Sequence, residues 1–141
     1  MDRSAFRQTI QVNEMLEDLM ETESSDVLMI DYLSVISPSE QASFLWKQIL
    51  ESRRRHYDWL RSVYYQLNGR WPEVDQEIFR RPSSYEEGLT TQMTRTERRK
   101  LYMQSLMNQM LYASVYFSQS LQIIYNQLLY EELLLRHLRR F

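Results

Sequence analysis

Apolar residues recur at three- and four-residue spacing along much of the chain, which is the spacing of one face of an α-helix. These stripes predict a first helix over residues 8–35, a second over 38–67 and a last over 115–139. Their members are Leu16, Met20, Val27 and Ile30 in the first helix, Ala42, Trp46, Ile49, Leu60, Val63 and Leu67 in the second, and Leu121, Ile124, Leu128, Leu135 and Leu138 in the last. The pattern indicates an all-α protein.

Capping residues mark the ends of the second helix. Ser37 is a suitable N-cap, Pro38 fits a first helical turn, and Glu40 lies at the third position of a capping box. The helix is predicted to end before Gly69, which can adopt the left-handed conformation common at helix C-termini. Residues 70–82 contain two prolines and little periodicity, so they predict a long connection to the next helix.

A second capping box, Ser83 with Glu86, predicts a third helix over residues 84–111. From Leu89 onward the sequence contains neither glycine nor proline. Only the length places a turn near Leu111 to Val115, and a single long helix over 84–139 is the alternative.

The composition agrees with one helical domain over residues 1–141. Glycine and proline number only 2 and 3, and the 43% of hydrophobic residues suffice for one sizeable core. A net charge of −2 provides no field that would attract nucleic acid or a membrane surface, and no segment approaches the roughly 18 apolar residues of a membrane span. The N-terminal residues lack a signal-peptide pattern, so we expect a cytoplasmic protein.

The segment 95–100 is basic, with Arg95, Arg98, Arg99 and Lys100 close together. Such a segment could contact phosphate. We interpret it as a solvated helix face, because Glu97 lies among the basic residues and the total charge is balanced.

Two charged or titratable residues interrupt the apolar stripe of the second helix. Arg53 and His56 fall between Ile49 and Leu60 at inward-facing spacing. A buried cation needs a partner, because leaving it unpaired costs several kcal/mol. Glu23 in the first helix and Glu132 in the last lie on or beside the stripes of those helices. We therefore predict a polar layer across the centre of a four-helix bundle.

The residues around this layer resemble a known family. The segment 49–69, ILESRRRHYDWLRSVYYQLNG, is similar to the second helix of rubrerythrin-like members of the ferritin superfamily, in which an Asp-Glu-x-x-His metal motif precedes an aromatic-rich tail. Residues 84–89, SYEEGL, resemble the start of their third helix, and residues 130–132, YEE, resemble the Asp-Glu of the fourth. The resemblance spans residues 16–139 and implies a ferritin-like antiparallel four-helix bundle with a long connection between helices 2 and 3.

Members of this family bind two iron or manganese ions through carboxylates and histidines that share helix faces. The resemblance assigns the first-helix carboxylate to Glu23, with Asp26 one turn further as the alternative. In the second helix His56 is kept, but Arg53 stands where the family has a glutamate.

The second half of the pattern is also incomplete. Thr96 falls at the ligand position of the third helix, and Glu97 lies one residue off that face. In the last helix Glu132 is kept, whereas Leu135 stands at the histidine position and His137 points elsewhere. The resemblance therefore implies a degenerate di-metal site.

Two functions follow from the resemblance. We favour a non-enzymatic structural or interaction protein without a cofactor, in which Arg53 replaces the metal charge in a polar layer of Glu23, Arg53, His56, Thr96 and Glu132. The alternative is an oxidoreductase or iron- or manganese-handling protein with an atypical, even mononuclear, site built from Glu23, Asp26, His56, Glu97 and Glu132. The family also implies a bacterial setting, with spore association as one variant, and a homodimer or another protein as the partner.

Overall fold

The computed structural model contains four helices: α1 (Arg3–Val35), α2 (Glu40–Asn68), α3 (Tyr85–Met110) and α4 (Val115–Leu138). It describes residues 3–75, 78–110 and 115–141, with side chains from residue 10 onward, and no strand occurs in these ranges. The prediction of an all-α chain with four helices is confirmed. None of the four helices is long and apolar enough to cross a membrane.

Each helix contributes to the interior a stripe that alternates three- and four-residue steps. The stripes are Leu16, Leu19, Glu23, Asp26, Ile30 and Leu33 in α1; Ala42, Trp46, Ile49, Arg53, His56, Leu60 and Val63 in α2; Leu89, Gln92, Thr96, Arg99, Met103, Leu106 and Met110 in α3; and Leu121, Ile124, Leu128, Glu131, Leu135 and Leu138 in α4. This spacing is the one that lets helices of a bundle interlock their side chains.

The buried apolar residues form two separate clusters. One gathers around Leu16, Leu60, Leu106 and Leu128. The other gathers around Ile30, Leu33, Trp46, Leu89 and Leu135. Between them lie the buried polar members of the stripes, so the core consists of two apolar layers with one polar layer in the middle.

Helix α2 begins two residues later than predicted, at Glu40. The N-cap is Ser39, whose side chain accepts a hydrogen bond of 3.1 Å from the backbone N–H of Ala42. The Ser37 hydroxyl is engaged elsewhere, because it donates to the Leu33 carbonyl at 2.7 Å and so closes the end of α1. Gly69 ends α2 as predicted, with φ 69° and its N–H donating to the Tyr65 carbonyl.

The start of α3 also differs by one residue from its prediction. The Glu87 N–H donates to the Ser84 hydroxyl at 3.1 Å, so Ser84 rather than Ser83 supplies the oxygen that caps this helix. The adjoining Tyr85 hydroxyl accepts a hydrogen bond of 2.9 Å from the Trp46 indole N–H, which ties the beginning of α3 to α2.

Gly88 lets α3 approach α1 closely, because a Cβ atom there would lie 2.5 Å from Cδ2 of Leu33. Helix α1 contacts α2 and α3, and α4 likewise contacts α2 and α3. Since α3 and α4 are separate helices that contact each other, one long helix over 84–139 is excluded. The predicted turn itself, from Leu111 onward, falls on residues 111–114, which lie outside the described residues.

Candidate functional site: a buried ion network

Arg53 lies at the centre of the polar layer with no exposed surface. Its Nη1 is 3.3 Å from a carboxylate oxygen of Glu23 and 3.3 Å from one of Asp26, both in α1. Its Nε is 3.1 Å from Oε2 of Glu131 in α4, and its Nη2 donates to the Thr96 hydroxyl of α3 at 2.7 Å. One guanidinium from α2 thus connects all four helices.

Arg99 of α3 is a second buried guanidinium on the other side of the same carboxylates. Its Nη1 is 3.0 Å from Glu23, and its Nη2 is 2.6 Å from Asp26. Arg99 also donates to the Leu19 carbonyl and to the Thr22 hydroxyl. Because Arg53 and Arg99 share two carboxylates, the four groups form a network of charge-assisted hydrogen bonds, which are stronger than neutral ones.

His56 lies on the α4 side of the layer and is a neutral base. Its Nε2 is 2.8 Å from the Gln127 side-chain oxygen, so in this amide orientation Nε2 carries the proton and donates it. The Ser52 hydroxyl is close to both groups, 3.4 Å from Nε2 and 3.5 Å from the Gln127 oxygen. Burial and the charge of Arg53 lower the pKa of His56 to about 3.

The surroundings push the pKa values of the three carboxylates apart. Burial alone would raise the pKa of Asp26, but the guanidiniums of Arg99 and Arg53 outweigh it and hold that pKa below its ordinary value. Burial raises the pKa of Glu23 despite the same guanidiniums. Burial raises the pKa of Glu131 to about 7, because Arg53 compensates it only in part. Glu131 is therefore the carboxylate with the weakest cationic support.

Four residues of the predicted polar layer meet in the structure, and one does not. The four that lie together, each at most 1% exposed, are Glu23, Arg53, His56 and Thr96. Glu132 lies outside, where it contacts Lys100 at 2.9 Å and Arg136 at 2.8 Å. Its predicted place is taken by the preceding residue, Glu131.

The prediction missed Glu131 although a signal was present. The apolar residues of α4 at 121, 124 and 128, and again at 135 and 138, continue in steps of three and four only if residue 131 occupies the position between them. With Glu132 at this position, two steps of four would be followed by two steps of three, and the alternation would be lost. Strict periodicity therefore selects Glu131.

Arg99 and Gln92 were missed for a different reason. The interpretation of residues 95–100 as a solvated face is wrong for Arg99, which is 5% exposed, while Arg98 does face solvent. Both Gln92 and Arg99 continue the three-and-four spacing from Leu89 through Thr96 to Met103. A local cluster of charge concealed that spacing.

The layer does not fit a pair of metal ions. The guanidinium of Arg53 lies between Glu23, Asp26 and Glu131 at 3.1 to 3.3 Å, so a metal ion bound by these carboxylates would have to displace a cation that already bridges them. Two residues of the alternative ligand set, Glu97 and Glu132, instead contact Lys100 at the surface. In the described ranges no group of three or more histidines and carboxylates is arranged to hold a metal ion.

No protein-family model matches this chain, and neither do the curated proteins or the solved structures. The resemblance to rubrerythrin-like proteins therefore rests on the residues quoted above and stays a prediction. What the fold defines is an all-α four-helix protein with a buried network of carboxylates and guanidiniums.

Proposed function

We propose that this chain is a non-enzymatic structural or interaction protein whose bundle centre is neutralised by arginine instead of metal. The observation that carries the proposal is the position of Arg53, which is fully buried and contacts carboxylates of α1 and α4. A metal site needs carboxylates that are free to coordinate. Here every carboxylate of the layer is within 3.3 Å of a guanidinium nitrogen.

The chemistry of the site supports this reading over catalysis. A general base near neutral pH, a nucleophile or a redox centre would need a reactive group that is accessible to a substrate. His56, the only imidazole in the layer, has its pKa lowered to about 3 by burial and Arg53, and its Nε2 proton is held by Gln127. It is poorly suited to accept a proton at neutral pH.

The ferritin-like antiparallel arrangement is part of the same proposal. Contacts between α1 and α2 support it, since Asn13 bonds Asn68 and Glu17 bonds Tyr64, so that higher numbers in one helix pair with lower numbers in the other. The same direction of pairing holds for α3 and α4, where Lys100 contacts Glu132 and Gln104 contacts Tyr125.

An iron-oxidation assay distinguishes the proposal from its alternative, an iron or manganese oxidoreductase or metal-handling protein. Purified protein would be mixed with Fe²⁺ in air, and the ultraviolet absorbance of ferric products followed against buffer alone. We expect the rate in buffer alone. Protein-dependent oxidation that saturates with Fe²⁺ and disappears in Glu23→Gln would refute the proposal and favour the alternative.

The homodimer, or other protein partner, implied by the resemblance remains a proposal as well. Exposed apolar side chains such as Val35, Phe44 and Leu133 support it, because each is more than half exposed. Light scattering coupled to size-exclusion chromatography would test self-association, and a mass equal to one chain at all concentrations would count against it.

A further inference from the structure

The buried layer contains one carboxylate more than it has guanidiniums. Glu23, Asp26 and Glu131 are at most 1% exposed, whereas among the described side chains only Arg53 and Arg99 bring positive charge at 5% exposure or less. A third guanidinium, that of Arg95, is 27% exposed and contacts Asp26 on the α1–α3 side of the bundle. Asp26 thus contacts three guanidiniums, whereas among the described residues only Arg53 contacts Glu131, so Glu131 is the carboxylate with the least compensated charge.

Glu131 has an oxygen that is available for a further partner. Arg53 approaches Oε2 with a single nitrogen, Nε, at 3.1 Å. Oε1 and Oε2 are both buried, and neither accepts a hydrogen bond of good geometry from the residues that the structure describes, although the Ser52 hydroxyl lies near enough to lower the pKa of Glu131. A buried carboxylate oxygen without a donor is costly, so a ligand that supplies a donor and a positive charge would gain binding energy there.

A cleft between α2 and α4 opens at the surface and extends towards Glu131, whose side chain itself has no exposed area. It encloses about 460 Å³, a volume in the range of small-molecule sites, and Glu131 lies in its lining. Ser52, which is buried, and Gln127, which is partly buried, line its inner end and can add hydrogen bonds.

The walls and rim of the cleft indicate the size and charge of its ligand. Ile123, Tyr130 and Leu134 provide apolar walls, so a short hydrocarbon chain could pack beside the polar inner end. At the rim the exposed Arg55 would repel a second positive charge on the ligand. The neighbouring Glu51 offsets the charge of Arg55 but leaves no net negative charge to attract a second cation. These features suit one positive charge on a small apolar body.

We propose that the α2–α4 cleft binds a primary alkylammonium group, with Oε1 of Glu131 as its counter-ion and Ser52 and Gln127 as additional hydrogen-bond partners. The ammonium group supplies three N–H donors, which the Glu131 carboxylate, the Ser52 oxygen and the Gln127 oxygen can accept, the last in place of its long 3.5 Å hydrogen bond from Ser52. The proposal does not depend on whether the bundle has an enzymatic activity.

A binding titration with propylammonium chloride tests the proposal. Backbone amide shifts of ¹⁵N-labelled protein would be followed at pH 8, with 1-propanol as the uncharged analogue of equal size and sodium chloride to match the salt. We expect saturable shifts at Ser52, Gln127 and Glu131 with propylammonium alone. Equal shifts with 1-propanol, or no saturable shift at these residues, would overturn the proposal.

Variants locate the counter-ion. Glu131→Gln should weaken propylammonium binding about tenfold or more, because the charge-assisted hydrogen bond is lost. Glu132→Gln, one residue further and outside the cleft, should bind as the wild type does. Equal affinity of wild type and Glu131→Gln would show that Glu131 is not the counter-ion and would refute the site.

A rim variant keeps the test decisive if Glu131→Gln fails to fold. Arg55→Gln removes an exposed cation from the mouth of the cleft, so it should tighten propylammonium binding, by about twofold to fivefold for a partly screened charge. Arg54→Gln, an exposed neighbour that does not line the cleft, should leave the affinity unchanged. The same affinity for both variants would contradict the proposed position of the ammonium group.

Discussion

Arg53 shows how one side chain can satisfy a demand set by several helices. Its planar guanidinium donates hydrogen bonds from Nη1 to Glu23 and Asp26 and from Nη2 to Thr96, and its Nε forms an ion pair with Glu131 at 3.1 Å. The three carboxylates outweigh the effect of burial and raise the pKa of Arg53, so the side chain stays charged. Arg53 stabilises the fold mainly because it pairs with carboxylates that would otherwise be buried without a cation.

Replacing this cation should therefore be expensive. Arg53→Met should lower the free energy of unfolding by about 3–5 kcal/mol, because it leaves buried carboxylates without their partner. Arg54→Met, at an exposed neighbouring position, should change it by less than about 0.5 kcal/mol. Urea unfolding followed by circular dichroism measures both. Equal effects of the two variants would mean that Arg53 contributes no more than a surface charge.

Glu131 gives the network a dependence on pH. Its pKa is raised from an ordinary 4.5 to about 7 by burial, with Arg53, Glu23 and Arg99 as the charged groups that face it. The native state thus holds a proton that the unfolded chain releases, and the stability this provides is complete below pH 4.5 and is lost as the pH rises to 7.

Comparison with Glu131→Gln isolates this effect, since glutamine resembles the protonated carboxyl. The variant should gain in stability relative to the wild type as the pH rises from 4.5 to 7, by about 1.4 kcal/mol for each unit of the pKa difference. The lowered pKa of His56 changes stability with pH in the opposite direction. Its effect cancels in this comparison because both proteins contain His56. Urea unfolding at several pH values measures the difference, and a constant difference would contradict the raised pKa.

At the scale of the helices, the sequence predicted which elements exist better than where they begin. The apolar stripes were sufficient for α1, α2 and α4, because a face that must be buried repeats over many residues. The start of α2 depended on the choice between Ser37 and Ser39, and the competing bond from Ser37 to the Leu33 carbonyl, which decides it, exists only once α1 is folded. Single residues set helix ends, and their partners lie outside the local pattern.

The close approach of α3 to α1 yields a prediction at this scale. Gly88→Ala should destabilise the protein by about 1 kcal/mol. The overlap of the new methyl group with Leu33 should cost more free energy than the higher helix propensity of alanine contributes. In a Leu33→Val background, which removes both Cδ atoms, the same change should become neutral or stabilising.

Thermal unfolding of the four proteins of this double-mutant cycle would measure the coupling. Gly69→Ala is a useful control. It should cost stability in both backgrounds alike, since its strain arises from a φ of 69° and no neighbouring atom lies within 4 Å of the added carbon. Additive effects of Gly88→Ala and Leu33→Val would contradict the proposed contact.

At the scale of the whole molecule, the two apolar clusters and the layer between them form a continuous stripe in each helix. The periodicity of the sequence indicates the positions of Arg53, His56 and Glu23, and the resemblance indicated that of Thr96. In α4 the strict spacing also selects Glu131, the buried partner of Arg53, over Glu132, the surface partner of Lys100. The periodicity cannot indicate which of the inward-facing charges pair, because pairing depends on how the four helices pack against one another.

The central claim is that guanidiniums, not metal ions, neutralise the buried carboxylates. Its most direct test is the thermal unfolding midpoint of protein first treated with chelator, measured with excess chelator and with Mn²⁺ or Fe²⁺ under anaerobic conditions. The account predicts the same midpoint in every case. A metal that binds the native centre at one hundred times its dissociation constant would add about 2.7 kcal/mol of stability, so a midpoint that rises by several degrees and no longer rises in Glu23→Gln would contradict it.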